Sequence, residues 1–181
     1  MIIPDKLKKG DIIGVIAPSN SIDENDIEFI QKSSKLFEDL GFNIKLSNFV
    51  SSHSLGYSAS PLEKAEDINN MFADPNVKAI FCVKGGENSN TTFDYLDYEL
   101  IKNNPKILCG FSDSTSITNA ITSKTGLVTF NGPTFKSLTS WETDYAFVED
   151  EYALNCMRLI QGNCDAHLKW EERCKEDKKK G

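Results

Sequence analysis

Histidine is nearly absent from this chain: His53 and His167 are the two among 181 residues. A serine acting as a nucleophile needs a neighbouring base. Neither histidine is close in sequence to the serine whose setting suggests such a role, Ser112 in "ILCGFSDST". Basic residues are in the minority as well, 20 against 27 acidic ones, giving a formal charge of -7. That balance argues against a nucleic-acid partner, which would call for a basic face. The basic run Lys178-Lys179-Lys180 reads as a solvated terminus.

Long apolar runs are also missing. No window approaches the roughly 20 residues that cross a bilayer, so no membrane partner is expected. The opening "MIIPDKLKKG" lacks the basic-then-apolar order of a signal peptide. The five cysteines, Cys82, Cys109, Cys156, Cys164 and Cys174, are odd in number and include no C-x-x-C pair. They suit reduced thiols in a cytoplasmic protein. Without a cysteine pair, and with scattered histidines, no structural zinc site is expected.

What is present describes a globular domain. Hydrophobic residues make up 39% and charged residues 26% of a chain long enough to bury a sizeable core. Short β-rich runs alternate with amphipathic helical ones, the pattern of an α/β fold whose parallel sheet is flanked by helices. Strands are predicted at 11–18, 42–47, 77–83, 106–111 and 127–130. The third is apolar apart from Lys78 and so is expected to be central.

A helix is expected over 24–41, with Ile27, Ile30, Phe37 and Leu40 inward and Gly41 ending it in the left-handed conformation. Ser60-Pro61-Leu62-Glu63 has capping-box spacing and opens a second helix, with Leu62, Ala65, Ile68 and Phe72 inward. Further helices are expected at 116–126 and 149–162, the last closed by Gly162. Residues 1–164 are expected to form one α/β unit. From Asp165 the chain has little to bury and reads as the start of a linker, 165–181, to a further domain.

Two glycine-containing turns follow strands at their carboxyl ends, where open α/β sheets place ligands. "CVKGGENSN" carries Gly85 and Gly86; "CGFSDST" carries Ser112. Paired glycines let backbone approach a ligand closely, and a serine on a strand-to-helix turn has an exposed hydroxyl beside helix amides. Such turns could supply a nucleophile and two oxyanion donors, the Asp113 amide and one from Gly85 or Gly86. "GFSDS" is nevertheless not G-x-S-x-G, and Ser112, Asp113 or Ser114 could simply cap the following helix. "KGGENSN" could be a plain turn or an anion-binding nest.

Four stretches occurring in order carry a resemblance: "GDIIGVIAPS", "AEDINNMFADPNVKAIFCVKGGENSN", "LDYELIKNNPKILCGFSDST" and "KTGLVTFNGP". Over residues 7 to 165 the chain resembles the N-terminal half of the LD-carboxypeptidase family of serine peptidases, which includes microcin C self-immunity proteins. "GGENSN" leans toward the immunity branch. The resemblance implies a flavodoxin-like or class I glutamine amidotransferase-like domain, with Ser112 as nucleophile and the Asp113 and Gly86 amides as oxyanion donors. Gly85, Asn88, Ser89 and Asn90 would line the pocket.

The family's Glu and His bases lie in a C-terminal domain, and neither His53 nor His167 matches them. This chain is therefore expected to be a truncated form, inactive alone. The implied substrate is a small peptide, a murein LD-peptide or a microcin-type peptidyl nucleotide. No metal or organic cofactor is implied, and a homodimer is implied for the full-length protein. Two alternatives stand beside this: a degenerate fragment that binds a ligand or partner, and an unrelated flavodoxin-like or amidotransferase-like domain.

Overall fold

The computed structural model describes residues 1–140. Its centre is a five-stranded parallel sheet: β1 (Ile12–Ile16), β2 (Asn43–Leu46), β3 (Val77–Cys82), β4 (Ile107–Gly110) and β5 (Phe130–Asn131), in the order β2-β1-β3-β4-β5. This is the flavodoxin-like order, with β3 in the middle as its largely apolar character predicts. The connecting helices are α1 (Ile27–Asp39), α2 (Pro61–Ala73), α3 (Tyr98–Asn103) and α4 (Thr115–Thr125), followed by the short α5 (Ser137–Ser140).

Alternation along the strands divides the core in two. Ile13, Val15, Ala79 and Phe81 face the layer of α1, where Phe37 packs 5.3 Å from the ring of Phe81 and stacks 5.6 Å from that of Phe135. Ile16, Ile80, Cys82 and Leu108 face Ile68 and Phe72 of α2 and Ile117 and Ile121 of α4. Each fully buried side chain of this kind contributes about 1.5–3 kcal/mol.

Helix ends follow local chemistry. Ser60 and Glu63 form the expected capping box ahead of Pro61, and Gly41 takes φ 93 after α1. Among the described residues, no helix is long and apolar enough to cross a membrane.

Three expectations need correction. Ile27 is 48% exposed and Leu62 61% exposed. The buried stripe of the first helical segment runs Asp26, Ile30, Ser33, Phe37, and the first turn of α2 buries Lys64. In both helices a charged residue occupies the inward slot nearest the candidate site. The fifth strand is also shorter than 127–130, because Leu127 and Val128 pair with Ile2 instead. The expected helix at 149–162 and the tail from Asp165 lie outside the described residues.

Candidate active site

In this strand order the topological switch falls between β1 and β3, where α/β sheets form their ligand crevice. Turns leaving the carboxyl ends of β1, β3 and β4 meet there. Among the described residues, two non-glycine positions have left-handed backbone, Ser112 at φ 62 and Asn88 at φ 58, and both are in these turns. Such positions cost about 1–3 kcal/mol and persist only where their surroundings enforce them.

The elbow carrying Ser112 is braced by its neighbours. Ser114 Oγ accepts from the Phe111 amide (3.0 Å) and donates to the Phe111 carbonyl (2.7 Å). The Asp113 carboxylate accepts from Ser19 Oγ (2.6 Å), in the turn after β1, and from the Ser89 amide (3.0 Å), after β3. Ser89 Oγ donates to the Asp113 carbonyl (2.8 Å) and lies 2.5 Å from Ser116 Oγ. The bracing side chains are thus Ser114 and Asp113, while Ser112 itself is exposed.

The glycine turn lies directly against the serine. A Cβ on Gly85 would stand 2.8 Å from Ser112 Cβ and 2.9 Å from Ser112 Oγ. Gly86 has φ 146, and a Cβ there would overlap the Asn20 side chain. Asn20 Oδ1 in turn accepts from the Glu87 amide at 3.2 Å. Both positions therefore require glycine, the first for close approach and the second for conformation as well.

Buried charge holds this turn at both ends. Before it, Lys84 pairs with Asp26 (2.5 Å) and Asp23 (3.0 Å), and Lys136 reaches Asp26 from the other side (2.5 Å). Burial pushes the Asp26 carboxyl up, but the two lysines outweigh it and leave it below the usual carboxylate range. After the turn, Asn88 Oδ1 accepts from Lys64 Nζ (2.8 Å), and Asn88 Nδ2 donates to Tyr57 Oη. Burial pushes the Lys64 ammonium down, with the Asp113 carboxylate acting against that shift.

Cys82, under the elbow, is an unsuitable nucleophile. Burial pushes its thiol up to about 12, so it stays protonated at neutral pH.

Of the residues expected at the site, Ser112, Asp113, Gly85, Gly86, Asn88 and Ser89 come together. Ser89 is fully buried and Asn88 half-buried, with both side chains bonded to neighbours. Asn90 is exposed in the next turn. His53 is exposed in the loop 47–59, and His167 lies outside the described residues. Sequence reasoning missed Ser19, Asn20, Tyr57 and Lys64. The first two had a signal: "APSNS" follows the strand at the switch point.

Comparison with known proteins agrees with this architecture. The family model of the LD-carboxypeptidase N-terminal domain matches residues 13–132. The putative carboxypeptidase YocD of Bacillus subtilis (strain 168) is 41% identical over 152 residues, covering 83% of this chain and 46% of that protein. The MccF-like protein of Bacillus anthracis str. Ames has a crystal structure matching at TM-score 0.78 and 38% identity, over 88% of this chain and 47% of that one.

The microcin C7 self-immunity protein MccF of Escherichia coli is 34% identical over 134 residues, covering 70% of this chain and 37% of that protein. A structure of MccF in complex with aspartyl sulfamoyl adenosine matches at TM-score 0.79 and 26% identity, over 88% of this chain and 47% of that one. This chain spans about half the length of the curated relatives it matches. It is an α/β protein of the LD-carboxypeptidase family and corresponds to that family's N-terminal domain.

Proposed function

We propose that this chain is the nucleophile-bearing domain of a serine-type carboxypeptidase. The observation that carries the reading is the exposed, left-handed Ser112 against the backbone of Gly85, on an elbow held from two other turns. A serine whose backbone conformation costs energy, with its hydroxyl uncovered and no capping duty, fits a nucleophile elbow better than a helix cap.

In the proposed reaction Ser112 Oγ attacks the carbonyl carbon of a scissile amide, and its proton passes to a base. The carbonyl π-electrons move to oxygen, where the Asp113 and Gly86 amides receive the charge. Collapse expels the amine, which takes the proton, and leaves an acyl-enzyme that water hydrolyses. Gly85 and Asn90 form the pocket's open side, while Asn88 and Ser89 support it from behind. Among the described residues no histidine accompanies Ser112. The base is assigned to a second domain, as the family resemblance implies, with residues 1–164 as the nucleophile domain and 165–181 leading onward.

The substrate is a small peptide-like amide, either a murein LD-peptide or an aminoacyl-nucleotide conjugate. Likeness to MccF, which has been solved with aspartyl sulfamoyl adenosine, supports the second. The protein is further proposed to be cytoplasmic and, with its second domain, homodimeric. The test uses a form carrying both domains, assayed on an LD-tetrapeptide and a peptidyl-aminoacyl nucleotide side by side. Ser112→Ala should abolish hydrolysis of the accepted substrate and leave the circular-dichroism spectrum unchanged; retained hydrolysis overturns the assignment. The 181-residue chain alone should show negligible turnover and no acyl-enzyme burst.

A further inference from the structure

Lys64 occupies a position that ordinary folding considerations disfavour. It is 1% exposed, and it sits just inside the amino end of α2, where the helix dipole is positive. An aliphatic residue would fill that inward slot at lower cost. The partners of Lys64 explain what the charge does there. Its ammonium donates to Asn88 Oδ1 at 2.8 Å, at the exit of the glycine turn. One buried cation therefore holds the end of the turn that carries a proposed oxyanion donor.

The chemistry gives this arrangement a purpose. The Asp113 carboxylate braces the elbow through Ser19 and Ser89. Ser89 follows Asn88 directly, so a displaced Asn88 disturbs both turns that carry the proposed oxyanion donors. Asn88 meanwhile holds a left-handed conformation, and its side chain is fixed between Lys64 and Tyr57.

We propose that Lys64 is a positioning residue for the Ser112 reaction: its buried ammonium fixes Asn88, and with it the left-handed exit of the glycine turn that carries a proposed oxyanion donor. This rests on Ser112 being the nucleophile. Lys64 does not touch substrate, so its removal changes the rate of the chemical step and leaves ground-state binding alone.

The kinetic test uses the two-domain form and whichever substrate it hydrolyses. Lys64→Met keeps the length of the side chain but removes the hydrogen-bond donor. It should lower kcat about tenfold or more, the scale of coupling within one hydrogen-bond network, with KM within about twofold. Lys64→Arg should retain most of the rate. In an Asn88→Ala background, Lys64→Met should cost no more than about twofold. An equal loss with and without Asn88→Ala, or an effect on KM alone, overturns the proposal.

A second measurement needs no activity. In the 181-residue chain, Lys64→Met should shift the backbone amide resonances of Glu87, Asn88 and Ser89, and Lys64→Arg should leave them near their original positions. Unmoved resonances in Lys64→Met also overturn the proposal. Failure of the underlying reading is told apart by Ser112→Ala, whose retained activity would be seen without any change at Lys64.

Discussion

Replacing Ser112 by glycine would remove the hydroxyl and also the steric penalty of a left-handed backbone. Glycine adopts that region freely but costs about 0.5–1 kcal/mol more in conformational entropy, against a local penalty of about 1–3 kcal/mol. Ser112→Gly should therefore leave the 181-residue chain as stable or up to about 2 kcal/mol more stable in urea unfolding. It should be as inactive as Ser112→Ala in the two-domain form. A loss of stability would mean that the hydroxyl serves the fold. The sign is opposite at Gly86, where any side chain meets both φ 146 and Asn20. Gly86→Ala should destabilise by about 1–3 kcal/mol from the backbone alone, and Asn20→Gly in the same chain should recover part of the remaining loss.

Among the elements, the sheet was legible because β3, apart from Lys78, and β4 are apolar and the helices between strands keep a regular stripe. The Ser60–Glu63 capping box and the Gly41 terminus follow from local chemistry alone, and both are present. What misled was the rule that apolar residues point inward. At Ile27 and Leu62 the inward slots belong to Asp26 and Lys64, whose burial is decided by partners far away in sequence, Lys84, Lys136 and Asn88. Periodicity cannot weigh a partner it does not see. The two departures flank the same glycine turn, where a functional site would be expected to break local rules. The short α3 and the turn Ser89–Tyr95 were not anticipated at all. Their ends are fixed by polar groups such as Asp97, which accepts from the Leu100 amide at 2.9 Å, and not by an apolar stripe.

Over the whole molecule, acid stability follows from how the carboxylates are held. Hydrogen bonds from Ser54 and Ser60 lower Glu63 from its ordinary 4.5 to about 2. The Lys45 ammonium, 2.6 Å away, lowers Asp74 from 3.8 to about 2. Each folded value is below the unfolded one, so the unfolded chain binds protons first as pH falls. Their stabilisation is complete above about pH 4.5 and is lost as pH falls through about 2. Burial raises Asp67, which works the other way, since its ionised form is the one disfavoured by folding. The melting temperature should therefore fall between pH 4.5 and 2, and Glu63→Gln should flatten that decline; a melting temperature independent of pH in this window would contradict the assignment.

The junction of Ser19, Ser89 and Asp113 also has a consequence for biosynthesis. Its bonds span 94 and 24 residues of chain and join turns from three separate strands. No local segment can assemble it, and a ribosome-bound chain shorter than residue 113 lacks the residue on which the other two converge. The cleft therefore requires the carboxyl ends of β1, β3 and β4 to be brought together, and a chain that stops before Asp113 lacks the junction that holds the residue beside the serine.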